Sequence, residues 1–338
     1  MRTKHTDPTL SRKTGAIGWG TRAMKLKYSV EDPGLASRTR GTRLWGTLVL
    51  VLSGLLFCLA LVSCGPPRPD YPVIGAKNFT EQVVLGELLA QHIEAKTGLK
   101  VERRFYLAGS YICHQALISG RIDAYVEYTG TALTAILKQP IDRNPESSLK
   151  TVRDLYQQRF HIAVTEPLGF ENTFAMIIRG DDAARLHVNT LSEAAQYTPQ
   201  WRLGVGYEFE ERPDGLPGLS KTYGLHFKEQ PRTMDLGLLY RAINARQVDM
   251  IAGNSTDGPI AAFGLKVLAD DKHYFPPYQA VPLVREEALK RWPAMRGALA
   301  DLQGKVSADD MRAMNEAVDG EHRDPAQVVH EYRQRKGL

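Results

Sequence analysis

The sequence predicts an α/β protein built in two lobes, and three observations carry that expectation. From residue 72 onward short apolar runs alternate with segments of helical period. At 43% hydrophobic and 24% charged residues, the composition is that of an ordinary globular chain. About 275 residues follow position 63, enough for two lobes of average domain size. Such alternation argues for largely parallel sheets joined by crossover helices.

The first strand is expected at residues 72–76 (PVIGA). A helix over 80–96 gathers Val83, Val84, Leu88 and Ile93 on one side, with Asn78 and Thr80 as candidate caps and Gly98 as its stop. Residues 99–107 read as extended, 110–119 as helix, 122–128 as strand and 131–137 as helix. A second series starts near His161 (HIAVTEP) and continues through extended runs at 174–179 and 202–207. A helix at 235–246, a strand at 248–252, a helix at 259–264 and a strand at 265–268 follow. The end is helical at 286–302, 308–319 and 325–335. There is no internal repeat.

The leader has a different character. Residues 44–63 form twenty positions without a charge, preceded by Arg38, Arg40 and Arg43, the pattern of an export signal or a membrane helix. Leu61-Val62-Ser63-Cys64-Gly65 resembles the bacterial lipobox. That resemblance implies cleavage before Cys64 and acylation of its sulfur, and each buried methylene of such an anchor contributes about 0.8 kcal/mol. An uncleaved signal anchor with Cys64 incidental is the competing reading. The division expected is a cytoplasmic leader and signal peptide over 1–63, with Met24 as an alternative start, and a lipidated Pro-rich tether over 64–71.

Charge follows the same division. The chain has 43 Lys+Arg and 38 Asp+Glu, a net +5. Removing the ten basic and three acidic residues of 1–63 leaves 33 and 35, a net of −2. The basic excess thus belongs to the leader, which argues against a nucleic-acid partner. Of three cysteines, Cys58 lies in the apolar stretch and Cys64 is the lipid site, so Cys113 has no partner for an internal disulfide and reads as a small buried residue.

No enzyme signature survives its context. Gly204-Val205-Gly206 lacks the third glycine of a dinucleotide fingerprint, and no GxxxxGK[ST], HExxH or GxSxG occurs. The nine histidines show no pair at metal-ligand spacing. The reading is of a binding protein with no cofactor, no metal and no catalytic residue.

Four segments then carry a resemblance: IGAKNFTEQ at 74–82, IDAYVEYTGTAL at 122–133, RPDGLPG at 212–218, and STDG at 255–258 with DKHYFPPY behind it. Together they resemble the substrate-binding proteins of glycine betaine/carnitine/choline (osmoprotectant) ABC importers. The resemblance implies a two-lobe type II periplasmic-binding fold with hinge crossovers near 170 and 275, placing 72–170 plus 276–338 in one lobe and 171–275 in the other. It implies a monomeric, extracytoplasmic lipoprotein that hands a quaternary amine to an ABC permease.

A quaternary ammonium has no N–H to donate, so aromatic faces recognise it, each ring contributing roughly 0.5–2 kcal/mol. The resemblance assigns Tyr128 and Tyr278 to that cage, with Phe174 where many members have tyrosine and Asn254 where betaine binders commonly have an aromatic. Thr131, Arg212, Lys77 and Asn78 are the expected polar partners, Arg212 for a carboxylate. The residues alone leave other readings open. Phe174 fills the core, Thr131 starts a helix, Arg212 pairs with Glu210 or Glu211 at the surface, Asn78 and Asp257 cap helices. Asn254 also leaves open a different polar zwitterion as ligand. A sensory ectodomain and a lipid-anchored enzyme complete the competing readings.

Overall fold

The computed structural model describes residues 69–338, so the leader, Cys58 and Cys64 lie outside the described residues. The unit Arg68–Leu338 carries two five-stranded sheets. The first comprises β1 (Val73–Gly75), β2 (Glu102–Arg104), β3 (Ala124–Tyr128), β4 (Ile162–Val164) and β10 (Ala280–Arg285), in the order β2-β1-β3-β10-β4. The second comprises β5 (Phe174–Arg179), β6 (Leu203–Val205), β7 (Arg232–Thr233), β8 (Met250–Asn254) and β9 (Leu265–Val267), in the order β7-β6-β8-β5-β9.

Four of the five strands in each sheet run parallel, as the alternation predicts, and one is reversed. β10 runs antiparallel to β3 and β4, and β5 antiparallel to β8 and β9. The reason is topological. β5 and β10 are the strands the chain enters on arriving from the other sheet. The two crossovers lie side by side, with Asn172 N donating to Tyr278 O at 3.1 Å and Ala280 N to Phe170 O at 3.1 Å. A strand fed from between the sheets starts there, while its neighbours end there. The cleft is therefore lined by the carboxyl ends of parallel strands and the first residues of β5 and β10.

The helix α1 (Thr80–Thr97) follows β1, and every residue from Glu81 to Ala90 is buried. It packs against the helices Ala294–Ala300, Ala308–Asp319 and Pro325–Lys336 as well as the first sheet, so it is enclosed on all sides and its apolar stripe is blurred. Its N-cap is Phe79 without a side-chain hydrogen bond; neither Asn78 nor Thr80 caps it, and the Thr80 hydroxyl instead donates to Asp319 at 2.5 Å. The predicted helix over 286–302 is broken into Glu286–Arg291 and Ala294–Ala300 by Pro293. Two of several elements in segments without an expectation pack into the core on the first sheet. One is α2 (Pro145–Phe160), started by an Asn144 side chain accepting from Ser147 N with Pro145 at its first position. The other is β10 itself, whose Ala-Val-Pro-Leu-Val run is buried on both faces. Cys113 is fully buried, as expected, and burial pushes its thiol up to about 12, away from nucleophilic use. Among the described residues no helix is long and apolar enough to cross a membrane.

Candidate functional site

A cavity of about 400 Å³ opens between the two sheets. All eight residues expected at a site line it: Lys77, Asn78, Tyr128, Thr131, Phe174, Arg212, Asn254 and Tyr278. The topology explains the convergence. Lys77 and Asn78 follow β1, Tyr128 ends β3 and Asn254 ends β8, whereas Phe174 opens β5 and Tyr278 stands two residues before β10. Phe174 and Asn254 are register partners across the β5–β8 ladder, so the two departures from the usual pattern are neighbours.

On the first sheet's side Tyr128 and Tyr278 are nearly fully buried. Burial holds both phenols far above the ordinary tyrosine range, so both hydroxyls are donors. Tyr128 Oη donates to Glu81 Oε1 at 2.5 Å, and Tyr278 Oη to Asp214 Oδ2 at 2.7 Å. Tyr278 lies against Gly130, where a Cβ would meet its ring at 2.7 Å and the Pro277 carbonyl at 2.8 Å. Only glycine permits that approach. Thr131 closes the helical turn Thr129–Thr131, which passes into a π-helical stretch at Ala132–Ile136; it sits inside the helical run and does not cap it. The Lys77 ammonium is paired with the buried Glu127 carboxylate at 2.5 Å and stands 5.0 Å from the Tyr128 ring centroid.

On the second sheet's side Arg212 is buried, not at the surface, and neither Glu210 nor Glu211 is its partner. Its Nε and Nη2 hold Asp214 bidentately at 2.9 and 2.5 Å. Burial works against the guanidinium's charge, but the Asp214 charge outweighs it and raises the arginine pKa; the same pair lowers that of Asp214. Nη1 is 3.7 Å from Glu208, and the guanidinium carbon is 4.8 Å from the Phe174 ring centroid. Phe174 meets Phe209 edge-on at 4.8 Å and Tyr278 at 5.6 Å, so it both lines the cavity and packs into the core beneath. Asn254 turns its amide donors to Asp257, at 3.2 and 3.3 Å. Asp257 caps no helix: it accepts from Tyr240 Oη at 2.6 Å and Asn254 N at 2.9 Å, and burial raises its carboxyl to about 7.

Besides Tyr278–Asp214, further contacts bridge the cleft. Glu208 accepts from Ser110 N at 2.6 Å and Ser110 Oγ at 3.2 Å, and Asn78 Nδ2 reaches Asp235 at 3.5 Å. A Cβ at Gly109 would lie 2.2 Å from Glu208 Oε1, so any side chain there would displace the Glu208 carboxylate from Ser110.

Sequence reasoning missed the carboxylates behind the cavity. Asp214 sits two residues from Arg212 inside RPDGLPG, and that spacing was the available signal. Glu81 resembles an ordinary first-turn acid of α1. Its role shows only in three dimensions, where it accepts from Tyr128, from Asn172 at 2.8 Å, from Asn315 at 3.1 Å and from Thr256. Burial raises its pKa, against those four hydrogen bonds. Among the described residues no group of three or more His, Cys, Asp or Glu gathers at a metal-binding geometry.

Residues 73–335 match the family described as the substrate-binding domain of ABC-type glycine betaine transport systems. The chain belongs to this family. A carnitine transport binding protein of Listeria monocytogenes is 35% identical over 294 residues, covering 86% of this chain and 95% of that protein. A glycine-betaine-binding protein of Pseudomonas aeruginosa is 33% identical over 295 residues, covering 84% and 93%. An ergothioneine transport permease/ergothioneine-binding protein of Helicobacter pylori is 33% identical over 267 residues, 79% of this chain, and the chain spans about half of that longer protein. A crystal structure described as a glycine betaine/carnitine/choline ABC transporter superposes with a TM-score of 0.67 at 33% identity, covering 79% of this chain and 98% of that one. The fold is thus the two-lobe type II periplasmic-binding fold, and the family's role is extracytoplasmic solute binding for ABC transport.

Proposed function

We propose that the chain captures a quaternary-amine osmolyte of the betaine, carnitine or choline class and delivers it to an ABC permease. The observation that carries this reading is the single cavity in which Tyr128, Phe174 and Tyr278 stand with Arg212 and Thr131. The trimethylammonium group sits against the three rings. The carboxylate of a betaine or carnitine meets Arg212 through Nη1, the edge that Asp214 leaves free, with Thr131, Lys77 and Asn78 as further polar partners. The lobes are 72–170 plus 276–338 and 171–275, hinged at the paired crossovers, and closure brings Asn254 and Phe174 to the ligand. Binding is non-covalent, with no catalytic step. The mature chain is a monomer held to the membrane through acylated Cys64.

A second reading is favoured by Asn254. An amide in place of a ring suits a betaine with an additional polar group, and the Helicobacter pylori relative is named for such a ligand. A thermal-shift screen of the full-length chain against glycine betaine, proline betaine, carnitine, choline, ergothioneine and the common amino acids separates the two. At a hundredfold excess over Kd a ligand adds about 2.7 kcal/mol, several degrees in Tm. A shift with the simple amines supports the first reading. A shift with ergothioneine alone supports the second, and a shift confined to amino acids overturns both.

A further inference from the structure

Both cage tyrosines are backed by a buried carboxylate. Tyr128 donates its hydroxyl to Glu81 at 2.5 Å and Tyr278 donates to Asp214 at 2.7 Å, one acid from each lobe, and neither acid lines the cavity. We propose that Glu81 and Asp214 are positioning residues that make the site selective for a formal positive charge, acting through the two phenol rings. This rests on the quaternary-amine reading above.

The physical argument starts from the ring. A cation is drawn to an aromatic face by the ring's negative quadrupole. A phenol that donates its proton to a carboxylate shifts electron density toward the ring, and hydrogen bonds to ionised acceptors are about twice as strong as neutral ones. In a low-dielectric interior that polarisation is felt at the face. Asp214 is held ionised by the bidentate Arg212. Glu81 has no basic partner in hydrogen-bond contact, yet four donors converge on its two oxygens, which matches the acceptor capacity of a carboxylate. Asn172 ties Glu81 to the first crossover, and Thr256 ties it to the second lobe. The acid therefore fixes the Tyr128 ring where the lobes meet. Phe174, without a hydroxyl, has no such backing.

Shape and charge can be separated with ligand pairs of one shape. Choline and 3,3-dimethylbutan-1-ol differ in the charge of the head, as do glycine betaine and 3,3-dimethylbutanoate. Calorimetric Kd values for both pairs would be measured on the full-length wild-type chain, on Glu81→Gln, which keeps an acceptor but removes the charge, and on Tyr278→Phe, which keeps the ring but removes the link to Asp214. The expected result is that each variant loses affinity for the member with the trimethylammonium head by about threefold or more, within the span of one cation–π contact, while the member with the uncharged tert-butyl head is unchanged. Equal losses for both members in both variants would show that the acids only hold the rings in place, and the proposal would fall. Tyr278→Phe carries the test if Glu81→Gln fails to fold. If the wild type binds no amine, the quaternary-amine reading itself fails and takes this inference with it.

Discussion

The two walls of the cleft are built alike and equipped differently. Each sheet has one reversed strand entered from the crossover, and each wall pairs a buried cation with a buried carboxylate, Lys77 with Glu127 on one side and Arg212 with Asp214 on the other. The first wall keeps both tyrosines and the threonine. The second carries Phe174 and Asn254, ladder neighbours on β5 and β8. The difference teaches that fold dictates where ligand-facing side chains stand, while their chemistry is free to vary. On this account the two tyrosines, joined by Phe174 from the opposite wall, recognise the ammonium head, and Asn254 and Arg212 select among its substituents.

Arg212→Ala should produce the largest effect. It leaves Asp214 buried without its cation, and breaking a buried pair in this way costs about 3–5 kcal/mol. Thermal denaturation should show the loss, and glycine betaine and carnitine affinities should fall further than choline affinity. An equal fall for all three would remove the division of labour between the walls. Next comes Gly130→Ala on the tyrosine wall. The added Cβ displaces the Tyr278 ring, and overpacking of this kind costs about 1–3 kcal/mol. Binding of every quaternary amine should weaken together, as read by calorimetry, while their ranking stays unchanged. Asn254→Tyr should act in the opposite direction. Restoring a ring should raise glycine betaine affinity by up to about tenfold, the upper half of what one cation–π contact contributes. No gain would mean that Asn254 does not face the ammonium head.

The smallest effect concerns Asp257, which holds Asn254 in place. Its carboxyl titrates near about 7 in the folded chain, because of burial, against about 3.9 in an unfolded one. A group with a raised folded pKa contributes stability that is complete below the unfolded value and is lost as pH rises through the folded value. The Tm of the wild type relative to Asp257→Asn should therefore decline between about pH 4 and pH 7 and stay level above. The residue is partly exposed, so the decline should be modest. A difference constant with pH would contradict the burial of this carboxyl.

Much of this was legible in the sequence because it is local. Alternation gave α/β layers, and motif segments placed eight side chains that the fold brings to one cavity. What was not legible depends on pairing between distant segments. Nothing in the 280–285 run says that β10 is antiparallel to β3; that follows from the chain's return between the sheets. Pro293 is a local signal for the break in the helix expected over 286–302. Arg212 was read against its neighbours Glu210 and Glu211, yet the turn after Glu211 presents it to Asp214 instead. Glu81 gathers partners 47, 91, 175 and 234 residues away, and no local pattern announces such a hub.

The most direct test of the account is the proton NMR shift of the N-methyl groups of glycine betaine or choline bound to the full-length chain. Enclosure by Tyr128, Phe174 and Tyr278 predicts an upfield ring-current shift on binding, reduced in Tyr278→Leu. A bound ligand whose N-methyl resonance stays at its free position would show that the ammonium does not lie among these rings, and the cage at the centre of this account would be wrong.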